Sequence, residues 1–258
     1  LEMPSPETTP DAGIADYERD PTQGPACAVA CGAGTAQRQY FAFPPERPGQ
    51  RAWRQTAEAQ VDTLGKCHEM LKQKLGLHKS EYVWYITNGY LDADTAMLQH
   101  LNSALAKDPR LADDVAALLE IGVQHDTQVT NPDVLSRKMR VTQTYNSALG
   151  IGYSRVHPRH WQPLAQIVLD ATYEATLLVA VIKNAELQMR RPGAAALPVF
   201  LTKVGGGVFR NDAKWIAAAM DRALARVAPL GVDIEARLVH FRADDGLYTR
   251  VGESVQSV

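Results

Sequence analysis

Apolar residues recur along this chain at two spacings, one helical and one strand-like, and segments of the two kinds alternate. The longest helical pattern runs from Pro163 to Ala185, where "LAQIVLDATYEATLLVAVI" has almost no polar face. A helix so apolar must be covered on most sides. A stripe through Ala59, Leu64, Cys67, Leu71 and Leu75 predicts an earlier helix, and residues 92 to 108 and 112 to 119 predict two more. Short β-favouring runs lie between them: Tyr82 to Ile86, followed by the turn signal Asn88-Gly89, then Glu120 to Val129, Arg140 to Ala148, Leu197 to Thr202 and Val232 to Phe241. "HPRHW" (157 to 161) reads as the turn into the long helix. Three glycines, Gly205, Gly206 and Gly207, follow the 197 to 202 run. Beyond them Trp215, Ile216, Ala219, Met220 and Ala223 recur at helical spacing over 212 to 227, with Asn211 or Asp212 as the cap. Strands alternating with helices predict an α/β layered domain with a largely parallel sheet. Ligands of such sheets bind beyond the carboxyl ends of the strands.

Composition narrows this picture without changing it. At 258 residues, 45% hydrophobic and 22% charged, the chain has the make-up of a soluble globular protein with a full core. Its formal net charge of −2 argues against general nucleic-acid binding, and no run of apolar residues reads as a membrane segment or secretory signal. Cys27, Cys31 and Cys67 are an odd number of cysteines, which suits a reducing compartment. No cluster of Cys and His completes a zinc site, so no metal is expected. The chain opens at Leu1, so further residues are expected upstream.

Chemistry collects at the probable strand ends and helix starts. "DYERDPTQG" brings Asp16 and Asp20 to a helix of small residues that begins near Pro25, and "HDTQVTNPD" brings His125, Asp126 and Asp133 to the end of a strand and its loop. Tyr145, Asn146 and Ser147 end the next strand. A glycine turn between strand and helix lets backbone N–H groups approach an anion, and the helix start adds partial positive charge. The turn fits neither GxGxxG nor GxxxxGK[ST]. Each acid also has an ordinary reading, Asp20 as a cap, Asp126 as an Asx-type turn former and Asp133 as a solvated loop residue. Asp170 and Glu174 share a face of the apolar helix, where ionised carboxylates need partners. They are expected to anchor a neighbouring loop.

The stretches "GIADYERDPTQGPACAVACGAGT", "HDTQVT", "VTQTYNSALGIGYS", "VLDATYEATLLVAVIKNA" and "VFLTKVGGGVFRND", in that order, resemble a branch of the macrodomain family. That branch comprises ADP-ribose-processing proteins similar to a bacterial effector that removes ADP-ribose from arginine. The resemblance covers roughly residues 1 to 241, implying one macrodomain-like domain there and a tail over 242 to 258. It implies a three-layer α/β/α sandwich with a mixed, largely parallel sheet and an ADP-ribose cleft across its crest. Thr22, Gln23, Gly24, Pro25 and Ala26 resemble the loop around the distal ribose. Gly205, Gly206, Gly207, Val208 and Phe209 resemble the loop that holds the diphosphate, and Asn146 joins them as a ligand-binding residue. The family pattern has Glu where Gln128 stands, Cys at Asn146, Gly-Asn at Arg210-Asn211 and Arg-Asn within Gln37-Arg38-Gln39. Arg210 could contact phosphate or close the cleft.

The activity so implied is hydrolysis of the N-glycosidic bond between ADP-ribose and an arginine side chain. Asp126 is the expected acid/base or guanidinium-binding residue, with Asp133 and Asp20 in support and no cofactor beyond ADP-ribose as ligand or product. An ADP-ribosylated protein is the partner, ubiquitin being one candidate. The expected compartment is the cytoplasm, or a host cytosol reached by a secreted effector. Two alternatives stand beside it: a reader that binds ADP-ribose without turnover, and an O-linked ester hydrolase.

Overall fold

The computed structural model describes residues 62–87, 90–130, 139–239, 246 and 251–252. Five α-helices and six strands lie among them, so the protein is of mixed α and β structure, compatible with an α/β fold. The helices are α1 (Gly65–Lys74), α2 (Thr95–Lys107), α3 (Leu111–Ala116), α4 (Pro158–Arg190) and α5 (Ala213–Val227). The strands are β1 (Tyr85–Thr87), β2 (Tyr90–Asp92), β3 (Gly122–Gln128), β4 (Arg140–Tyr145), β5 (Pro198–Leu201) and β6 (Glu235–Leu238). Among the described residues they form three two-stranded sheets, where the sequence predicts one larger sheet; β3 and β4 run antiparallel, β5 and β6 parallel. Pro198 opens β5, a position at which its missing N–H costs the ladder little.

The chain divides into two units. The described part of the first is essentially the β3–β4 ribbon, residues 121–130 and 139–146. The second holds the five helices, β5 and β6. Within it α4 is the axis of two apolar cores. Its first half, with Trp161, Leu164, Ile167 and Val168, packs with Cys67 and Leu71 of α1, Leu98 and Leu101 of α2, and Leu111 and Val115 of α3. Its second half, with Leu169, Tyr173, Leu177 and Val181, packs with Leu201 of β5 and with Ile216, Ala219, Met220 and Ala223 of α5. By length and composition α4 could cross a membrane, but half of its most apolar stretch is buried inside the protein.

The long helix begins five residues before the expected start. His157 caps it, its ring nitrogen accepting from Arg159 N–H, and Pro158 takes the first turn, where a missing N–H is harmless. Pro163 therefore sits inside α4, which removes one helical hydrogen bond. Trp161, 1% exposed, anchors the added turn in the core and offsets that loss. "HPRHW" is thus the cap and first turn of the helix. β6 is shorter than expected and begins at Glu235. Within the expected tail, Val251 packs on the second core and Gly252 N–H donates to Asp221 Oδ1 at 2.7 Å.

Candidate functional site

β3 and β4 pair regularly at Gly122↔Tyr145, Val123↔Thr144 and Gln124↔Gln143, and pair again at Thr127↔Val141. Between these registers His125 and Asp126 face the single residue Thr142, which makes a β-bulge. Asp126 takes a left-handed backbone there, φ 52°. Its N–H points at Thr142 Oγ1 (3.5 Å), and its carbonyl accepts from Arg140 Nη1 at 3.1 Å. His125 and Asp126 are exposed, whereas Thr127 is buried. Asp126 therefore lies within β3 at the bulge, and not at the strand's end as its sequence context predicts. A bulge re-aims side chains out of strict alternation, and here it delivers an exposed carboxylate. Asn146, half-buried, directly follows the last residue of β4.

The glycine loop belongs to the second unit and joins β5 to α5 as expected. Its backbone is closed by turns: Gly206 N–H donates to Lys203 O (3.1 Å), Arg210 N–H to Gly207 O (3.0 Å) and Asn211 N–H to Gly205 O (3.0 Å). Tyr173 of α4 ties the loop to the core, its hydroxyl donating to Thr202 O at 2.6 Å and accepting from Val204 N–H at 3.0 Å. Asn211 is buried, and its Nδ2 donates to Leu149 O (2.8 Å) and Gly205 O (3.3 Å). Gly152 N–H donates to Phe209 O at 2.9 Å, and Phe209 meets the ring of Tyr153 edge-on.

The three glycines have different reasons for being glycine. Gly205 has φ 76°, and a Cβ there would lie 2.4 Å from Ala148 Cβ and 2.7 Å from Asn211 Nδ2. Gly206 would meet Ile216 Cδ1 and Lys203 O, both at 3.3 Å. Only Gly207 faces open space. Gly207 and Val208 are exposed, and their N–H groups donate to no described residue. Those two exposed amides are available as donors. The start of α5 adds less than expected, because the Asp212 carboxylate caps it by accepting from Lys214 N–H at 2.8 Å. Asp212 thus places a negative charge where the helix dipole would favour an anion.

Asp20, Thr22, Gln23, Gly24, Pro25, Ala26 and Asp133 lie outside the described residues, as do Cys27, Cys31 and the Asn88-Gly89 turn. Of the remaining expected site residues, Asp126 and Asn146 belong to the first unit, and Gly205, Gly206, Gly207, Val208 and Phe209 to the second. The sequence pattern gives no role to Gly152 or Tyr173, and marks Asn211 only as a possible cap. Among the described residues no group of three or more His, Cys, Asp or Glu could hold a metal ion. Cys67 is buried, its thiol directed at Val115 O.

Asp170 and Glu174 are anchored, though to a helix and not to a loop. Arg222 Nε lies 3.4 Å from Asp170 Oδ2, and Arg226 Nε donates to Glu174 Oε2 at 3.0 Å. Arg222 also pairs with Asp113 of α3. Gln166 Nε2 donates to Asp170 Oδ1 at 2.8 Å. Burial raises the Asp170 pKa above the ordinary carboxylate value, against the opposing pull of Gln166 and Arg222. A cavity of about 230 Å³ opens beside this group, lined by Leu105, Ala112, Ala116, Pro163 and Ile167.

Compared with known proteins, the chain matches no protein-family model, no curated protein and no solved structure.

Proposed function

We propose that this protein is a macrodomain-like ADP-ribosylhydrolase that removes ADP-ribose from modified side chains, arginine foremost. One observation carries the reading. Among the described residues only Asp126 and Arg210 combine a side chain with a positive φ, at 52° and 56°, and each lies in a stretch assigned to ADP-ribose chemistry on sequence grounds. Strain of this kind persists where the surrounding structure imposes it, and it gathers at functional sites. In this reading the Gly207 and Val208 amides engage the diphosphate. Asp126 orients the guanidinium or accepts a proton from the attacking water. Water adds to the anomeric carbon of the distal ribose as its bond to the arginine nitrogen breaks, through a transition state of oxocarbenium character. The nitrogen leaves with the proton, and ADP-ribose and arginine are released. The three-layer sandwich belongs to the same proposal, supported by the parallel β5–β6 pair and the α4–α5 packing beside it.

Gln128 favours a second reading, a binder without turnover. It is an exposed neutral amide two residues from Asp126, where the family pattern has an ionisable Glu. Calorimetric titration with ADP-ribose, followed by incubation with ADP-ribosylated protein, separates the two. The hydrolase binds and then releases free ADP-ribose, while the reader binds and releases none. Absence of binding would contradict both.

A further inference from the structure

Arg210 takes its left-handed backbone without the local excuse that Asp126 has. Asp and Asn tolerate this region because a short polar side chain can bond nearby backbone, and arginine has no such means. The turn that imposes the conformation is closed by the bonds from Arg210 N–H and Asn211 N–H, and glycine at 210 would keep both. The arginine stem nevertheless has a prepared seat. A Cβ on Gly152 would come 2.2 Å from Val208 O, 3.1 Å from Arg210 Cγ and 3.3 Å from its Cδ, so the loop backbone and the arginine stem both lie over the bare glycine. Arg210 is exposed and makes no ion pair among the described residues. Lys203, at the start of the loop, is half-buried. Arg210 is thus the exposed cation of the 203–211 loop.

We propose that Arg210 supplies the counter-charge for a diphosphate on the glycine loop, its strained turn and the place of its stem over Gly152 fixing how the side chain leaves the loop. The inference rests on reading that loop as a diphosphate site. The backbone amides of Gly207 and Val208 offer direction but no net charge, and the Asp212 carboxylate offsets the dipole of α5. A guanidinium meets phosphate oxygens with two parallel N–H donors, a geometry that lysine cannot reproduce. Binding then depends on salt, because an exposed charge pair is screened.

The test compares the intact protein with Arg210→Gly and Arg210→Lys by calorimetric titration with ADP-ribose at low and physiological salt, alongside thermal melting. Arg210→Gly should bind about tenfold more weakly at low salt and lose most of the salt dependence. Its melting temperature should hold or rise, because glycine relieves the positive φ. Arg210→Lys should fall between, keeping the salt dependence with reduced affinity. Equal affinity and equal salt dependence in Arg210→Gly, with the intact protein binding well, would overturn the inference and leave the loop reading intact. Failure of the intact protein to bind ADP-ribose would overturn the loop reading, and this inference with it.

Discussion

At Gly205 and Gly207 the same substitution should have opposite consequences, although the two residues are indistinguishable in the sequence. Alanine at 205 would press on Ala148 and Asn211 and hold a side chain at φ 76°, which should cost about 1–3 kcal/mol. Alanine at 207 meets nothing and should leave stability within about 0.5 kcal/mol. Urea denaturation of both variants checks this. If the loop holds the diphosphate, Gly207→Ala also weakens ADP-ribose binding, since a methyl group stands where the ligand approaches. The run of glycines was legible as a special turn. The division of labour within it was not, because that depends on Ala148, Leu149 and Gly152, which precede the loop by more than fifty residues. Asp126 was legible as a candidate acid; its bulge was not, because the register shift comes from pairing with Thr142.

Among the elements, α4 and α5 were the most readable, since a long periodic apolar face is little affected by context. Their ends were less so: Pro158 and Pro163 both suit a helix start, and the burial of Trp161 decides between them. The pairing of Asp170 with Arg222 links the two helices and carries a pH dependence. Because burial raises the Asp170 pKa in the folded protein, the native state holds this proton more tightly than the unfolded chain. The stability it contributes is fully present below the ordinary carboxylate value and is lost as the pH rises through the raised one. Unfolding free energies measured from pH 3 to pH 7 should therefore fall, relative to Asp170→Asn, across the weakly acid range. A flat difference between the two proteins would mean that Gln166 and Arg222 cancel the effect of burial, and one that grows with pH would mean that they outweigh it.

For the molecule as a whole, the hydrophobic pattern foretold mixed helix and strand and the order of the elements except β2, a three-residue strand that it does not predict. The larger sheet does not appear among the described residues, whose strands pair two by two. Its pairing is non-local, and strand patterns alone specify neither partner nor direction. The proposed function joins motif resemblance to two residues at positive φ, one in a strand bulge and one in a loop, and its central claim is chemical: Asp126 takes part in breaking the bond between ADP-ribose and its acceptor. The most direct test is the rate of ADP-ribose release from arginine-ADP-ribosylated protein by the intact protein and by Asp126→Ala, with ADP-ribose affinity measured on both. The intact protein should release ADP-ribose, and the variant should do so at least about 100-fold more slowly, in the range expected for a group acting in acid–base catalysis, with nearly equal affinities. Release that survives in Asp126→Ala, or that is absent from an intact protein able to bind ADP-ribose, would contradict that claim.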